Sequence, residues 1–176
     1  TLQARVNGYL QLNQNKYPAQ AIHRIDYETS GLVLFCKHPF FQAYCDKNME
    51  EHHIKKEYIA LVQGHTNYKN KKIISNIARD RHNAKKMIIH PNGKESVSIF
   101  NTLKNYKDCS LIQVTILTGR KHQIRVQCAS LNHPILNDPL YGGKKIDNTG
   151  LLLQSHHIQF NDVDITCPQE KRFIRK

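Results

Sequence analysis

The sequence predicts an α+β fold, a mixed, mostly antiparallel sheet with flanking helices and loops. Three observations point there. Strand-like runs outnumber helix-like ones along the 176 residues. They follow one another without the repeating strand–helix–strand rhythm of a parallel α/β sheet. Residues 110–117 alternate, with Ile112, Val114 and Ile116 on one face and Gln113 and Thr115 on the other, as expected of an antiparallel strand with one buried face. A chain of this length can bury most of its apolar surface in one core without disulfide or metal staples, so one domain is expected.

Taken in order, residues 2–14 carry Leu2, Val6, Tyr9 and Leu10 at helical spacing, with Pro18 beyond the end, and predict a first helix. Residues 31–36, Gly-Leu-Val-Leu-Phe-Cys, predict a buried strand that stops at His38-Pro39. Phe41, Tyr44, Cys45 and Met49 predict a second helix between Phe40 and His53. Residues 56–62 are β-prone and end at Gly64. Residues 65–95 are the least regular stretch, with Lys69, Lys71, Lys72, Arg79, Arg81, Lys85 and Lys86 scattered among Asn and His. They predict a solvated loop face or a nucleic-acid arm. Within them, Pro91-Asn92-Gly93 predicts a hairpin between residues 87–89 and 96–100. Residues 121–131 fit either period, but the continuation through Leu131 and the stop at Asn132-His133-Pro134 favour a helix with Arg125 at the edge of the core. Turns follow around Tyr141, at Asn137-Asp138-Pro139 and Gly142-Gly143, and residues 151–153 and 158–165 predict a closing strand pair.

Charge is the strongest compositional signal. With 26 Lys+Arg against 14 Asp+Glu the chain carries +12, and its pI is near 9.6. Phosphate attraction rewards such a surface whatever the sequence bound, so a nucleic acid is the leading partner. A lysine-rich proteome would give the same balance without one. No apolar run approaches the roughly 20 residues of a membrane span, and no signal peptide is seen. The five cysteines, at 36, 45, 109, 128 and 167, are odd in number and lack C-x-x-C spacing. That argues against a disulfide framework or zinc site and for a reducing, cytoplasmic setting.

The residues that could carry chemistry begin at His23-Arg24-Ile25-Asp26-Tyr27-Glu28-Thr29-Ser30-Gly31, a polar cluster that a following strand does not need. Asp26 beside two basic residues would stay ionised, as a nucleophile or base requires; it could equally brace a turn through Thr29 and Ser30. Arg120 and Arg125 bracket His122-Gln123. Flanked by Ile124 and Val126, Arg125 is expected to be partly buried and paired, its planar fork matching a carboxylate. Tyr58 lies among apolar residues, which fits core packing or a ring that stacks on a base. The pairs His52-His53 and His156-His157 need not face one site, and no metal is expected.

Five blocks then occur in a telling order: His23-Arg24-Ile25-Asp26-x-x-Thr29-Ser30-Gly31, Lys56-Glu57-Tyr58-Ile59-Ala60, Gly93-Lys94-Glu95, Thr118-Gly119-Arg120-Lys121-His122-Gln123-Ile124-Arg125-Val126, and His133-Pro134-Ile135-x-x-Asp138-x-x-Tyr141-Gly142. Together they resemble the RluA-type family of pseudouridine synthases. The resemblance implies the pseudouridine synthase catalytic fold and an isomerase that needs neither metal nor cofactor. Asp26 matches the catalytic aspartate and Arg125 the arginine paired with it. Tyr58 matches the tyrosine that stacks on the target base and takes part in proton abstraction. Arg24 matches an arginine that fills the place of a flipped-out nucleotide. The RNA-facing set expected from these blocks and the basic stretch is His23, Arg24, Thr29, Arg120, His122, Gln123, Lys85 and Lys86. Lys71 and Lys72 are expected to add salt-dependent affinity.

The partner implied is RNA, large-subunit ribosomal RNA or transfer RNA, met by a monomer away from membranes. Residues 1–176 are expected to be one catalytic domain without the strand bearing Asn-Lys-Pro-x-Gly that usually precedes it; an S4-type domain farther upstream stays open. Gln127, Gln154-Ser155, Ser96, Asn132 and Asn137 depart from the usual pattern, which touches the surroundings of the site and not its three central residues. Two other classes compete: an RNA-binding or chaperone module without turnover, and a metal-dependent nuclease using Asp26, Asp138 and a nearby histidine.

Overall fold

Strand β4, Lys55–Gln63, is the centre of the sheet, and its apolar middle explains why: residues 56–62 are all buried. The computed structural model describes residues 1–174. Besides β4 it has helices α1 (Leu2–Leu12), α2 (Gln42–Glu50) and α3 (Gln123–Ser130). The strands are β1 (Gln20–Ala21), β2 (Ser30–Gly31), β3 (Phe35–Cys36), β5 (Lys71–Arg79), β6 (Met87–Ile89), β7 (Lys94–Asn105), β8 (Cys109–Ile116), β9 (Leu153–Phe160) and β10 (Val163–Thr166). The main sheet runs β10-β9-β4-β8-β7-β5-β6, antiparallel at each step, with β2 parallel to β9 and β1-β3 forming a separate pair. The predicted mixed, mostly antiparallel sheet with flanking helices is what forms.

Two faces of this sheet are packed. The main core joins Tyr58, Ile59, Leu61, Phe100, Ile112, Val114 and Leu151–Leu153 to Ile124 and Cys128 of α3 and to Phe173 near the chain's end. A second cluster, Cys36, Cys45, Ile54, Ile158 and Phe160 with Leu32, Leu34 and Met49 against it, fastens α2 to the sheet. Helix α1 is held by polar contacts, since only Leu10 of its apolar stripe is buried. Asn7 Oδ1 accepts from the Ala19 N–H at 3.0 Å, and the Gln3 amide donates to the Ala19 carbonyl.

Four expectations are corrected. The predicted strand 31–36 breaks in two, because it changes partner: Ser30–Gly31 lie along β9, whereas Phe35–Cys36 pair with β1. Residues 65–95 are not irregular; they contain β5, which pairs over seven positions with β7. The predicted hairpin around Pro91-Asn92-Gly93 does not pair its flanks, because β5 lies between β6 and β7. The closing strands are β9 and β10, with the turn at Asn161-Asp162 falling inside what was expected to be a single strand.

Candidate active site

Asp26 is carried by the loop between β1 and β2, and the loop is pinned at both ends. At its start, the Ile22 N–H donates to the Leu34 carbonyl and the Leu34 N–H donates to His23 Nε2, both near 3 Å. At its end Gly31 has φ +103° and lies on β9 so closely that a Cβ would stand 2.1 Å from the Ser155 carbonyl oxygen. Only glycine fits there. Between the pins the Thr29 N–H donates to the Asp26 carbonyl at 3.0 Å, closing a turn, and Ser30 Oγ accepts from Arg172 at 2.7 Å.

Arg125 comes from the first turn of α3, which begins at His122 in a left-handed conformation, φ 55°, one that histidine tolerates better than most residues. Arg125 is 3 % exposed. Its Nε and one terminal nitrogen each donate to Asp138 at 2.8 Å, a bidentate pair with a carboxylate that is itself 0 % exposed. Its other terminal nitrogen is 3.9 Å from Asp26 Oδ2, and Glu28 lies 3.4 Å from the nitrogen that Asp138 holds. The closest partner of Arg125 is thus Asp138, with Asp26 at the outer edge of ion-pair range. Burial would lower the guanidinium's pKa, but the Asp138 bonds, with Asp26 and Glu28, outweigh it and raise it.

Tyr141 ties the neighbourhood together. Its ring lies 5.2 Å from the Arg125 guanidinium carbon. Its hydroxyl is 2.8 Å from His122 Nδ1 and accepts from the Met87 N–H at 2.9 Å. The other His122 nitrogen is 4.0 Å from Asp26 Oδ2. Burial first, then the Arg125 and Lys121 charges, lower the His122 pKa against the opposing pull of Asp26 and Asp138, so the ring is mainly neutral at pH 7. Asp138 and Tyr141 are the site residues that the catalytic reading of the sequence left out. The Asp138-x-x-Tyr141 spacing marks the pair in the sequence, but only the single turn Pro139–Tyr141 brings both side chains to Arg125.

Tyr58 reaches the site from β4. A bulge opposite it, where Glu57 and Tyr58 face His157 and Ser155 and leave His156 extra, adds local twist. The ring is 6 % exposed. Burial is the main cause that pushes its phenol up to about 12, with the Asp26 charge adding and the Ser155 hydroxyl opposing. Tyr58, Asp26 and Arg125 line one pocket of about 180 Å³ with Ile25, Ile124 and Leu153 as apolar walls. A cavity of about 150 Å³ already takes a benzene ring, so this pocket is on the scale of one planar base.

The expected RNA-facing residues fall into two groups. Arg24 and Arg120 are exposed at the mouth, with Arg120 Nε donating to the Glu95 carbonyl at 2.8 Å. Lys85 is exposed and Lys86 Nζ sits 5.7 Å over the Tyr141 ring. Thr29 and His122 line the pocket wall. Gln123 and His23 are turned to the fold instead. The Gln123 oxygen accepts from Thr118 and from the Arg120 N–H, and its nitrogen donates to Val97 and Ser98, so the amide braces the loop with nothing left for RNA. His23 spends Nε2 on Leu34. Of the donors a metal could use, Asp138 has both oxygens accepting from Arg125.

Comparison with known proteins identifies the class. The family profile described as RNA pseudouridylate synthase matches residues 1–130, and the chain belongs to that family. Among its relatives, an uncharacterized RNA pseudouridine synthase YhcT of Bacillus subtilis is 37 % identical over 145 residues, 81 % of this chain and 48 % of the relative. Ribosomal large subunit pseudouridine synthase C of Buchnera aphidicola is 39 % identical over 135 residues, 76 % and 42 % of the two chains. Synthase D of Borreliella burgdorferi is 32 % identical over 170 residues, 94 % and 51 %. These names agree with the RluA-type resemblance. The chain spans about half the length of the curated relatives it matches. In fold it is similar to human RNA pseudouridylate synthase domain containing 1, with a TM-score of 0.83 at 24 % identity over 96 % of this chain and 74 % of that one.

Proposed function

We propose that the chain is the catalytic domain of an RNA pseudouridine synthase, with Asp26 as the nucleophile. The observation that carries the proposal is Asp26 at the wall of a base-sized pocket that Tyr58 also lines, 3.9 Å from the Arg125 guanidinium. Turning uridine into pseudouridine breaks the bond from ring nitrogen to sugar, rotates the base and rejoins it through carbon. No electron or donor group enters or leaves. The base must first leave its stack at a cost of about a few kcal/mol, so a pocket and a side chain to fill the gap are needed; Arg24, exposed at the mouth, suits the second task. A carboxylate in such a pocket stays charged at least cost beside a cation, which Arg125 supplies. Tyr58 offers a ring face to the base, and its phenol, held at about 12 by burial, keeps its proton at pH 7.

The RNA is structured, and relatives named for the ribosomal large subunit favour ribosomal over transfer RNA. A cytoplasmic monomer fits this reading; no helix among the described residues is long and apolar enough to cross a membrane. The test is a pseudouridine map of RNA from cells lacking the gene, complemented with the wild-type chain or Asp26→Ala. The sites lost on deletion should return with the first and stay absent with the second. Full restoration by Asp26→Ala sinks the proposal. A map unchanged by deletion favours a pure RNA binder.

A further inference from the structure

Beside the base-sized pocket lies a larger cavity of about 550 Å³, and the two share Arg24, Tyr58 and Arg120 as a common wall. Its most unusual occupant is Lys56. Two residues before Tyr58 on β4, Lys56 projects to the same face of the sheet, yet it is only 5 % exposed. Its ammonium donates to the Met49 thioether at 2.8 Å, a weak acceptor, and it forms no ion pair among the described residues. A buried cation without a counter-charge is costly, and burial holds this one down to about 8. His23 lines the same cavity; burial first, then the Lys56 charge, take it down to about 4, and its Nδ1 is buried without a hydrogen-bond partner. Two basic groups therefore crowd one cavity, Lys56 charged and His23 neutral, and its mouth is flanked by the cations Arg24 and Arg120. The acids of the cavity, Glu50 and Glu95, are exposed and leave Lys56 unpaired.

We propose that this cavity takes a phosphodiester group of the RNA strand next to the base in the smaller pocket, with Lys56 as its buried counter-charge. Lys56 and Tyr58 are about 7 Å apart along the strand, so a base and a phosphate flanking it can occupy both cavities at once. A charged ammonium–phosphate bond is among the stronger hydrogen bonds in proteins. It would also supply the anion that the fold itself omits. This assignment rests on RNA being the substrate, but not on the nucleophilic role of Asp26.

Only Met49 and Met87 occur in the chain, so methyl-labelled methionine gives two resonances, one of them touching Lys56. The experiment titrates Asp26→Ala, in which turnover is barred, with pentauridylate and separately with inorganic phosphate. The Met49 methyl should shift with both. Adding Lys56→Leu should remove that shift, raise the pentauridylate dissociation constant about tenfold and lower the salt slope by about 0.7. Lys56→Gln carries the same arm if the leucine variant does not fold. A Met49 methyl that stays still at saturating pentauridylate, or one that still shifts without Lys56, overturns the proposal. Binding is read without catalysis, so failure here leaves the Asp26 assay intact, and failure of that assay leaves the titration readable.

Discussion

Arg125 and Asp138 form the most deeply buried ion pair near the site, and its energetics set what a mutation there can reveal. Both oxygens of Asp138 are engaged by the guanidinium at 2.8 Å. Removing one partner of such a pair strands the other charge, at about 3–5 kcal/mol, whereas replacing both with apolar residues of similar volume is often neutral. Arg125→Met alone should therefore lower stability by roughly that amount and cripple turnover more than RNA binding, because Asp26 loses its nearest cation. Adding Asp138→Leu should restore much of the stability and none of the turnover. Urea midpoints and single-turnover rates on the three proteins check this. If turnover returned together with stability, Arg125 would serve the fold alone. From sequence, Arg125 was readable as buried and paired because Ile124 and Val126 flank it. The identity of its closest partner was not, since Asp138 is brought up by a turn whose geometry no periodicity announces.

At the scale of elements, the loop that holds Asp26 depends on one close approach. Gly31 combines φ +103° with a backbone contact that leaves no room for a side chain. Gly31→Ala should cost more than about 1 kcal/mol, because alanine at positive φ is strained even where space is free. It should also reduce turnover beyond the loss of folded protein, since the β2–β9 pairing is what returns the Asp26 loop to the sheet. Equal specific activity per folded molecule would show that the loop keeps its place without that pairing. Elements with a strong buried face were legible in advance: β4 and β8 sit where their apolar patterns put them, whereas α3, ambiguous by periodicity, was placed by the stop at Asn132-His133-Pro134. β5 was not legible, because Ile77 is its one fully buried residue. Its polar members are matched instead, Ser75 with Ser96 across the sheet and with Gln127 of α3. The break in residues 31–36 was hidden for a related reason. Leu32, Leu34 and Cys36 pack in one cluster, but the backbone pairs with two different strands, and side-chain pattern reports only the packing.

For the whole molecule, the excess of twelve positive charges bears on function only through where the charges stand. Lys71 and Lys72 open β5, while Lys85 and Lys86 follow its other end, so the two pairs are roughly 25 Å apart along the strand. Lys86 leans over Tyr141, whose hydroxyl contacts the histidine beside Asp26; Lys71 leans over Tyr68, packed against Phe100 at the far end of the sheet. RNA that presents a base to the smaller pocket passes the first pair and need not reach the second. Each lost phosphate contact lowers the slope of log affinity against log salt by about 0.9 for duplex-like nucleic acid. Lys85→Ala with Lys86→Ala should therefore lower the slope by about 1 to 2 and weaken binding of unrelated structured RNAs to the same degree. Lys71→Ala with Lys72→Ala, a pair expected from the sequence to add salt-dependent affinity, should on this placement leave it unchanged. Filter-binding isotherms over a range of potassium chloride separate these outcomes. A slope that falls only in the Lys71 and Lys72 variant would put the RNA along the opposite end of the sheet, and the base-sized pocket would then lie outside its path.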